Sequence, residues 1–296
     1  MSLTFGVLLL QDRALADITS ISRDLDAAGV DSLWVADHTV HPHSNDGPWL
    51  DPWVTMAAVA QATSRCSIGP LVATFVSNPP LALARRTHSM QVLSNQRFVL
   101  GLGAGGVSVD RAVYRIPDTT GRELLSRLDA GITELLSCLS GERIPVPLMT
   151  SIAGRPTPTE ITVNFVEPVV VPPLLIGGQS AASVALAARY AQVWNMYRAR
   201  GAMTFTDSAK RCFDLLNEQS QAQSREAGSV RRSVLLDLTN ETSAPNRAAL
   251  VDVVGRLHDL GFDECIAYAW GRDVHTRTTD DLLAFMSDDL PALRAG

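Results

Sequence analysis

The 296-residue sequence predicts a TIM-type (β/α)8 barrel, and three observations carry that prediction. Short apolar runs alternate with longer amphipathic stretches from one end to the other. The runs are continuously apolar, as expected of strands buried on both faces in a parallel sheet. The length suits one barrel, which takes roughly 250 residues. A doubly wound open sheet is the structural alternative, because strand order cannot be read from one sequence.

Eight strands follow in order: Thr4 to Leu10, Ser32 to Ala36, Ser67 to Ala73, Phe98 to Leu102, Leu174 to Ile176, Val193 to Met196, Val234 to Leu238 and Cys265 to Ala269. Helices fill the intervals. Asp51 before Pro52, and Asn78 before Pro79, each put a capping side chain ahead of a proline suited to a first helical turn. Ser180 caps the Ala-rich segment after Gly178, and Gly29 and Gly261 stand where helices stop. The fourth helix runs from about Gly121 to Ser140, and no convincing helix starts between the fourth strand and Gly121. One insertion breaks the rhythm. Residues 141–173 carry Pro145, Pro147, Pro156, Pro158, Pro168, Pro172 and Pro173, which exclude a long helix and imply extended or hairpin structure. A connection this long is a candidate cover for the barrel mouth. The chain therefore reads as one domain over residues 1–296, without internal repeats.

Composition narrows the function. Acidic residues outnumber basic ones, 31 to 25, giving a net charge of −6. With no dense Lys/Arg run, nucleic acid and anionic membranes are excluded as main partners. Phe5 to Leu10 is too short to span a bilayer and lacks a basic leader and cleavage site, so a cytoplasmic protein is expected. Cys66, Cys138, Cys212 and Cys265 form no CxxC pair and read as small buried hydrophobes.

In a barrel, chemistry is expected on the loops that follow the strands. The second strand ends Ala36-Asp37-His38, an acid and an imidazole placed for proton transfer at the mouth. A strand-end histidine bonded only to backbone is the bland alternative. Gly101, Gly103 and Gly106 spell GxGxxG after the fourth strand, but the strand's place in the order and the missing helix argue against dinucleotide binding. A surface kept bare for a ligand at Gly103, Ala104, Gly105 and Gly106 is the better reading. Gly177 and Gly178, followed by Gln179 and Ser180 at a helix start, form a candidate phosphate cradle. His38, His41 and His43 with Asp46 and Asp51 invite a metal-hydrolase reading, but their spacing does not suit one. No metal is expected. Trp49, Trp270 and Arg198 are candidate walls of a substrate pocket.

These motifs together resemble the bacterial luciferase-like family of flavin and deazaflavin oxidoreductases. The matching stretches are Ala28 to His38, Asp51-Pro52, Ala62-Thr63, Ile68-Gly69, Asn78-Pro79, Leu83-Ala84, Ser94 to Arg97, Gly101 to Gly105, Pro173 to Gly178 and Val193-Trp194-Asn195. The resemblance is strongest over residues 28–106. It implies a hydride-transferring enzyme that uses the deazaflavin coenzyme F420 and a small organic substrate. An FMN-dependent monooxygenase is the alternative within the family, and a non-catalytic flavin-binding barrel the alternative outside enzymology. It further implies a homodimer.

The resemblance also implies site residues. Asp37 and His38 lie beside the cofactor ring, with His38 as acid/base. A bulge carrying a non-prolyl cis peptide is expected within Leu71, Val72 and Ala73, with Thr74 next to it, pressing on the back of the ring. Gly177 and Gly178 hold the phosphate, and Gln179 and Asn195 complete the cofactor's surroundings. Two departures stand out. Related sugar-phosphate dehydrogenases carry a glutamate proton donor where this chain has Gly106. The acid usual before the sixth strand is Gln192, which puts that position's structural role in doubt.

Overall fold

The computed structural model describes residues 2–41, 47–145, 160–162, 164–168, 170–198, 205–237, 246–268 and 275–295. The elements run β1 (Thr4–Leu9), α1 (Leu15–Ala28), β2 (Ser32–Val35), α2 (Pro52–Ala62), β3 (Ser67–Pro70), β4 (Ala73–Thr74), α3 (Pro80–Leu93), β5 (Leu100–Gly103), α4 (Ser108–Val113) and α5 (Gly121–Ser140). After these come β6 (Arg143–Pro145), β7 (Glu160–Thr162), β8 (Leu174–Gly177), α6 (Ala181–Tyr190), β9 (Val193–Arg198), α7 (Phe205–Ala222), β10 (Arg231–Asp237), α8 (Arg247–Leu260) and β11 (Glu264–Tyr268). α9 (His275–Ala284), a π-helical turn (Phe285–Asp289) and α10 (Leu290–Ala295) complete the series.

The main sheet is parallel, in the order β3-β2-β1-β11-β10-β9-β8-β5-β4. Its two end members, β3 and β4, are halves of one strand broken at the Leu71–Val72 peptide, which is cis. The nine pieces are thus eight barrel strands, and the sheet closes on itself. A parallel bridge between Ile68 and Phe98, with the Val99 amide donating to the Ile68 carbonyl at 2.9 Å, seals the β3 side. All eight expected strands are present, and the expected distortion falls between Leu71 and Val72.

The caps divide by what else their side chains can reach. Asp51 accepts from the amides of Trp53 and Val54, and Ser180 from that of Ser183, so both act as read. Gly29 and Gly261 adopt left-handed φ of 91° and 113° at helix ends. Asn78 does not cap α3. Its Oδ1, the atom that would accept from the first helical amides, is taken by the Arg86 guanidinium, and its amide donates to Asp37. The long helix over Gly121–Ser140 is as expected, bounded by a Thr120/Glu123 capping box and Gly141. It is the fifth helix, because the short α4 precedes it. Val107, where a capping side chain would stand, caps nothing, and that is why α4 left no sequence signal.

Three strands begin with the same clamp at the bottom of the barrel. Asp31, Gln192 and Asp263 each donate a backbone N–H to the carbonyl of a residue starting a neighbouring strand and accept that residue's N–H on the side chain. The partners are Phe5, Leu174 and Arg232. The doubt over Gln192 is thereby corrected: an amide oxygen accepts the Leu174 N–H, at 2.8 Å, as a carboxylate would.

Two apolar layers follow. The larger lies between barrel and helices, and the smaller fills the barrel with Leu8, Leu10, Trp34, Ala36, Leu71, Leu175, Val193 and Ile266. Beneath the second is a polar floor. Ser32 Oγ donates to the buried Glu264 at 2.8 Å and accepts from Trp34 Nε1, while Asn195 donates to Ser233 Oγ at 3.0 Å. Ser233 completes the chain by bonding to Glu264.

The four cysteines are buried free thiols, as expected, and burial pushes those of Cys66 and Cys138 up to about 12 and about 11. Within the insertion, β6 and β7 form an antiparallel pair, which matches the hairpin reading. The proposed cover over the mouth is not supported by the described part. Phe165 packs on His88 and the Val170 carbonyl accepts from Gln91, both on the C-terminal half of α3. The physical reason is connectivity: a segment running from a helix into a strand emerges at the N-terminal face, opposite the mouth. Among the described residues no helix is long and apolar enough to cross a membrane.

Candidate active site

The mouth gathers the strand ends, and side-chain alternation decides which way each residue faces. Trp34 and Ala36 point into the barrel, so Asp37 points away from its axis, towards α3. There its Oδ2 accepts from Asn78 Nδ2 at 2.8 Å. The same amide meets the Thr74 carbonyl at 3.0 Å and Ser77 Oγ at 2.9 Å, while Asn78 Oδ1 accepts from Arg86. Arg86 in turn lies over the Trp53 ring, 5.4 Å from its centroid. Burial pushes the Asp37 carboxyl up to about 6, against the opposing pull of the Asn78 bond and the charges of His38 and Arg86.

His38 follows. Its Nδ1 lies 2.8 Å from Asp110 Oδ2 on α4, and its carbonyl accepts from Trp49 Nε1 at 2.9 Å. Asp110 Oδ1 accepts the Thr39 N–H at 2.9 Å, so both oxygens of that carboxylate hold the β2 rim. Burial alone would raise the Asp110 carboxyl, but the His38 and Thr39 bonds outweigh it and hold it below its ordinary value. Arg111 donates to the Gly105 and Gly106 carbonyls, tying α4 back onto the glycine loop. A cavity of 270 Å³ opens beside these groups, lined among others by Asp37, His38, Trp49, Asn78, Arg86 and Tyr114.

The broken strand forms the floor between the two rims. The Leu71 amide donates to the Val35 carbonyl at 2.8 Å, and the Val72 side chain reaches across to Gly103 and Gly177. The glycines read as a bare ligand surface divide accordingly. A Cβ on Gly103 would stand 2.5 Å from Val72 Cγ2, so that glycine makes room for the barrel's own bulge. Gly106 has nothing within 4 Å of an added Cβ and does border open space. Gly105 sits at φ 81°, and Ala104 packs against the core. Ala73 is buried, while the half-buried Thr74 accepts the Val76 N–H at 3.3 Å.

At the β8 rim, Gly178 adopts φ 146°, and its N–H is spent on the Asn195 carbonyl at 3.1 Å. An anion there would instead meet the amides of Ala181 and Ala182 in the first turn of α6, where a helix has no internal acceptors. Gln179 is exposed and donates to the Tyr197 carbonyl. Asn195 is buried below the rim, with its amide bonded to Ser233. The structure thus brings Asp37, His38 and Trp49 together around one cavity, with Val72 bridging towards Gly103 and Gly177. Trp270 and the Arg198 side chain lie outside the described residues, as do His43 and Asp46. Among the described residues no group of three or more His, Cys, Asp or Glu could hold a metal ion.

Asp110, Asn78 and Arg86 are the residues sequence reasoning missed at this site. The available signal for Asp110 was an acid one helical turn after a glycine loop, which is too common to single out.

A family model described as luciferase-like monooxygenase matches residues 3–239. An F420-dependent hydroxymycolic acid dehydrogenase of Mycobacterium tuberculosis is 29% identical over 197 residues, 64% of this chain and 51% of that protein. An F420-dependent glucose-6-phosphate dehydrogenase of Amycolatopsis mediterranei is 38% identical over 94 residues, 30% of this chain and 27% of that protein. The chain therefore spans about half, or less, of the length of these curated relatives. Among solved structures, an F420-dependent secondary alcohol dehydrogenase in complex with an F420-acetone adduct superposes with a TM-score of 0.79 at 14% identity, covering 99% of this chain and 100% of that one. A monooxygenase from Streptomyces bottropensis gives 0.74 at 14% identity, covering 98% and 99%. At such identities the structural likeness shows the fold.

Proposed function

Because this chain belongs to the luciferase-like monooxygenase family, we propose that it is an oxidoreductase moving a hydride between coenzyme F420 and a small organic substrate, with His38 as acid/base. The observation that carries the reading is the His38 imidazole, held by Asp110 at 2.8 Å and opening on a cavity of 270 Å³. That volume suits a small molecule better than a polymer.

The residues present fit a flat ring bearing a phosphate. Val72 offers an apolar floor, Gly106 open space and the first turn of α6 two unsatisfied amides for an anion. When bound, the deazaflavin supplies or takes up a hydride and reacts poorly with oxygen. The protein's own task is then proton handling and positioning. His38 exchanges the proton of a substrate hydroxyl, Asn78 and Arg86 hold Asp37 at the rim, and Trp49 walls the cavity.

A second reading, an FMN-dependent monooxygenase, is favoured by the family description and by the monooxygenase fold neighbour. Parallel fluorescence titrations with F420 and FMN separate the two. F420 binding is expected, and tight FMN binding without F420 binding would overturn the first reading. With F420 and small alcohols or carbonyl compounds as probes, His38→Ala should retain cofactor binding and lose turnover by about 10²- to 10⁴-fold. Unchanged turnover would remove His38 from the mechanism.

A further inference from the structure

The Asp110 carboxylate joins two segments at the mouth. It lies 72 residues from His38 in sequence, on a short helix that the glycine loop delivers to the β2 rim. One oxygen takes the Thr39 amide and the other stands 2.8 Å from His38 Nδ1. The carboxylate is therefore fixed at two points, and its side chain is only 14% exposed against 25% for that of His38. An ionised carboxylate can only accept hydrogen bonds. The bond to Nδ1 thus requires the imidazole's proton on that nitrogen, which leaves the lone pair of a neutral ring on Nε2.

We propose that Asp110 is a positioning residue that fixes the tautomer of His38, so that Nε2 is the atom exchanging a proton with the substrate. The proposal rests on the acid/base reading of His38. In the oxidative direction an alcohol substrate gives its carbon-bound hydrogen as hydride to the oxidised cofactor and its hydroxyl proton to Nε2. A carbonyl product and an imidazolium result, and the proton then passes to water. Asp110 stabilises that imidazolium without itself taking the proton.

Gly106 brings no proton donor of its own to the mouth. A side chain there would enter open space, since nothing lies within 4 Å of an added Cβ. The carboxylate stands one helical turn later instead and acts through the imidazole. Among the described residues, the other titratable or charged groups around His38 are Asp37 beside it, Asp51 at the start of α2, His41 against Trp49, Arg86 on α3, and Arg111 and Tyr114 at α4. Of the groups around the ring, it is the Asp110 carboxylate that stands at hydrogen-bond distance from Nδ1, at 2.8 Å.

The test is made on the full chain without cofactor, so it does not depend on turnover. Long-range ¹H–¹⁵N correlation spectra of the imidazoles, recorded at a pH where the ring is neutral and assigned with His38→Gln, report which nitrogen of His38 carries the proton. Wild type should show the Nδ1–H tautomer. Asp110→Asn, whose amide oxygen can still accept the Thr39 N–H, should show a mixture or the Nε2–H form, and Asp110→Glu should restore the wild-type pattern at least in part. Thermal melts establish that the variants are folded. An Nε2–H tautomer in wild type overturns the proposal, and so does an unchanged tautomer in Asp110→Asn. Failure of the acid/base reading has a different signature, namely unchanged turnover in His38→Ala whatever the tautomer.

Discussion

Asp37 and Glu264 are both buried carboxylates of the same barrel, one at the rim and one at the floor, and burial raises both above their ordinary values. Their surroundings differ. Glu264 is enclosed by strands and receives two serine hydroxyls, each itself bonded to a further donor, Trp34 or Asn195. Asp37 receives one amide and borders the cavity beside His38. The same desolvation therefore yields a structural tie where every neighbour is protein, and a candidate for chemistry where one side is open.

Removing each acid should break the comparison in opposite directions. Glu264→Ala strands two serine hydroxyls and opens a void, and should cost about 3 kcal/mol, read as a shift in denaturant midpoint. Glu264→Gln keeps an acceptor and should cost about 1 kcal/mol or less. Neither should change F420 titration of the protein that remains folded. A fall in affinity with unchanged stability would make the floor part of the site.

Asp37→Asn should act the other way. The folded-state value of about 6 lies above the ordinary 3.8, so the carboxyl's contribution favours folding below pH 3.8 and is lost as the pH rises to about 6. Above that range the folded protein carries a charge that burial penalises, by about 3 kcal/mol at most. The asparagine variant should therefore be more stable than wild type at pH 7.5, with the difference vanishing near pH 4. Thermal melts at the two pH values measure it. An equal effect at both would show that burial of the charge is not the cause.

The smallest effects sharpen the contrast between residues serving the barrel and residues bordering the cavity. Gly103→Ala would overlap Val72 Cγ2 and should cost about 1 to 3 kcal/mol, most of it recovered in combination with Val72→Ala. Gly106→Ala meets nothing and should cost under about 0.5 kcal/mol. Equal costs would mean that Val72 does not occupy the mouth as described.

Much of the architecture was legible because it rests on local chemistry. Continuous apolar runs marked the eight strands, and Asp51, Ser180, Gly29 and Gly261 marked helix ends through bonds or backbone angles within a few residues. The site was less legible. Asp37, His38 and Trp49 could be named in advance, but the Asn78 side chain was misassigned because Arg86 claims its capping oxygen and Asp37, 41 residues away, its amide. Asp110 was missed because its bond to His38 spans 72 residues and its helix begins without a capping side chain.

By itself the sequence determined the alternation of eight strands with helices and the strand end bearing Asp37 and His38. A distortion within residues 71–73 was implied by the family resemblance, and the structure placed it at the Leu71–Val72 peptide. Only the tertiary structure decided that Asp37 turns outward to Asn78, that His38 pairs with Asp110, that Gly103 makes room for Val72, and that the insertion's described part lies away from the mouth. The division follows range. Periodicity, caps and turn residues act over a few positions, whereas hydrogen-bond partners at a barrel mouth are chosen by which loops closure of the sheet brings together.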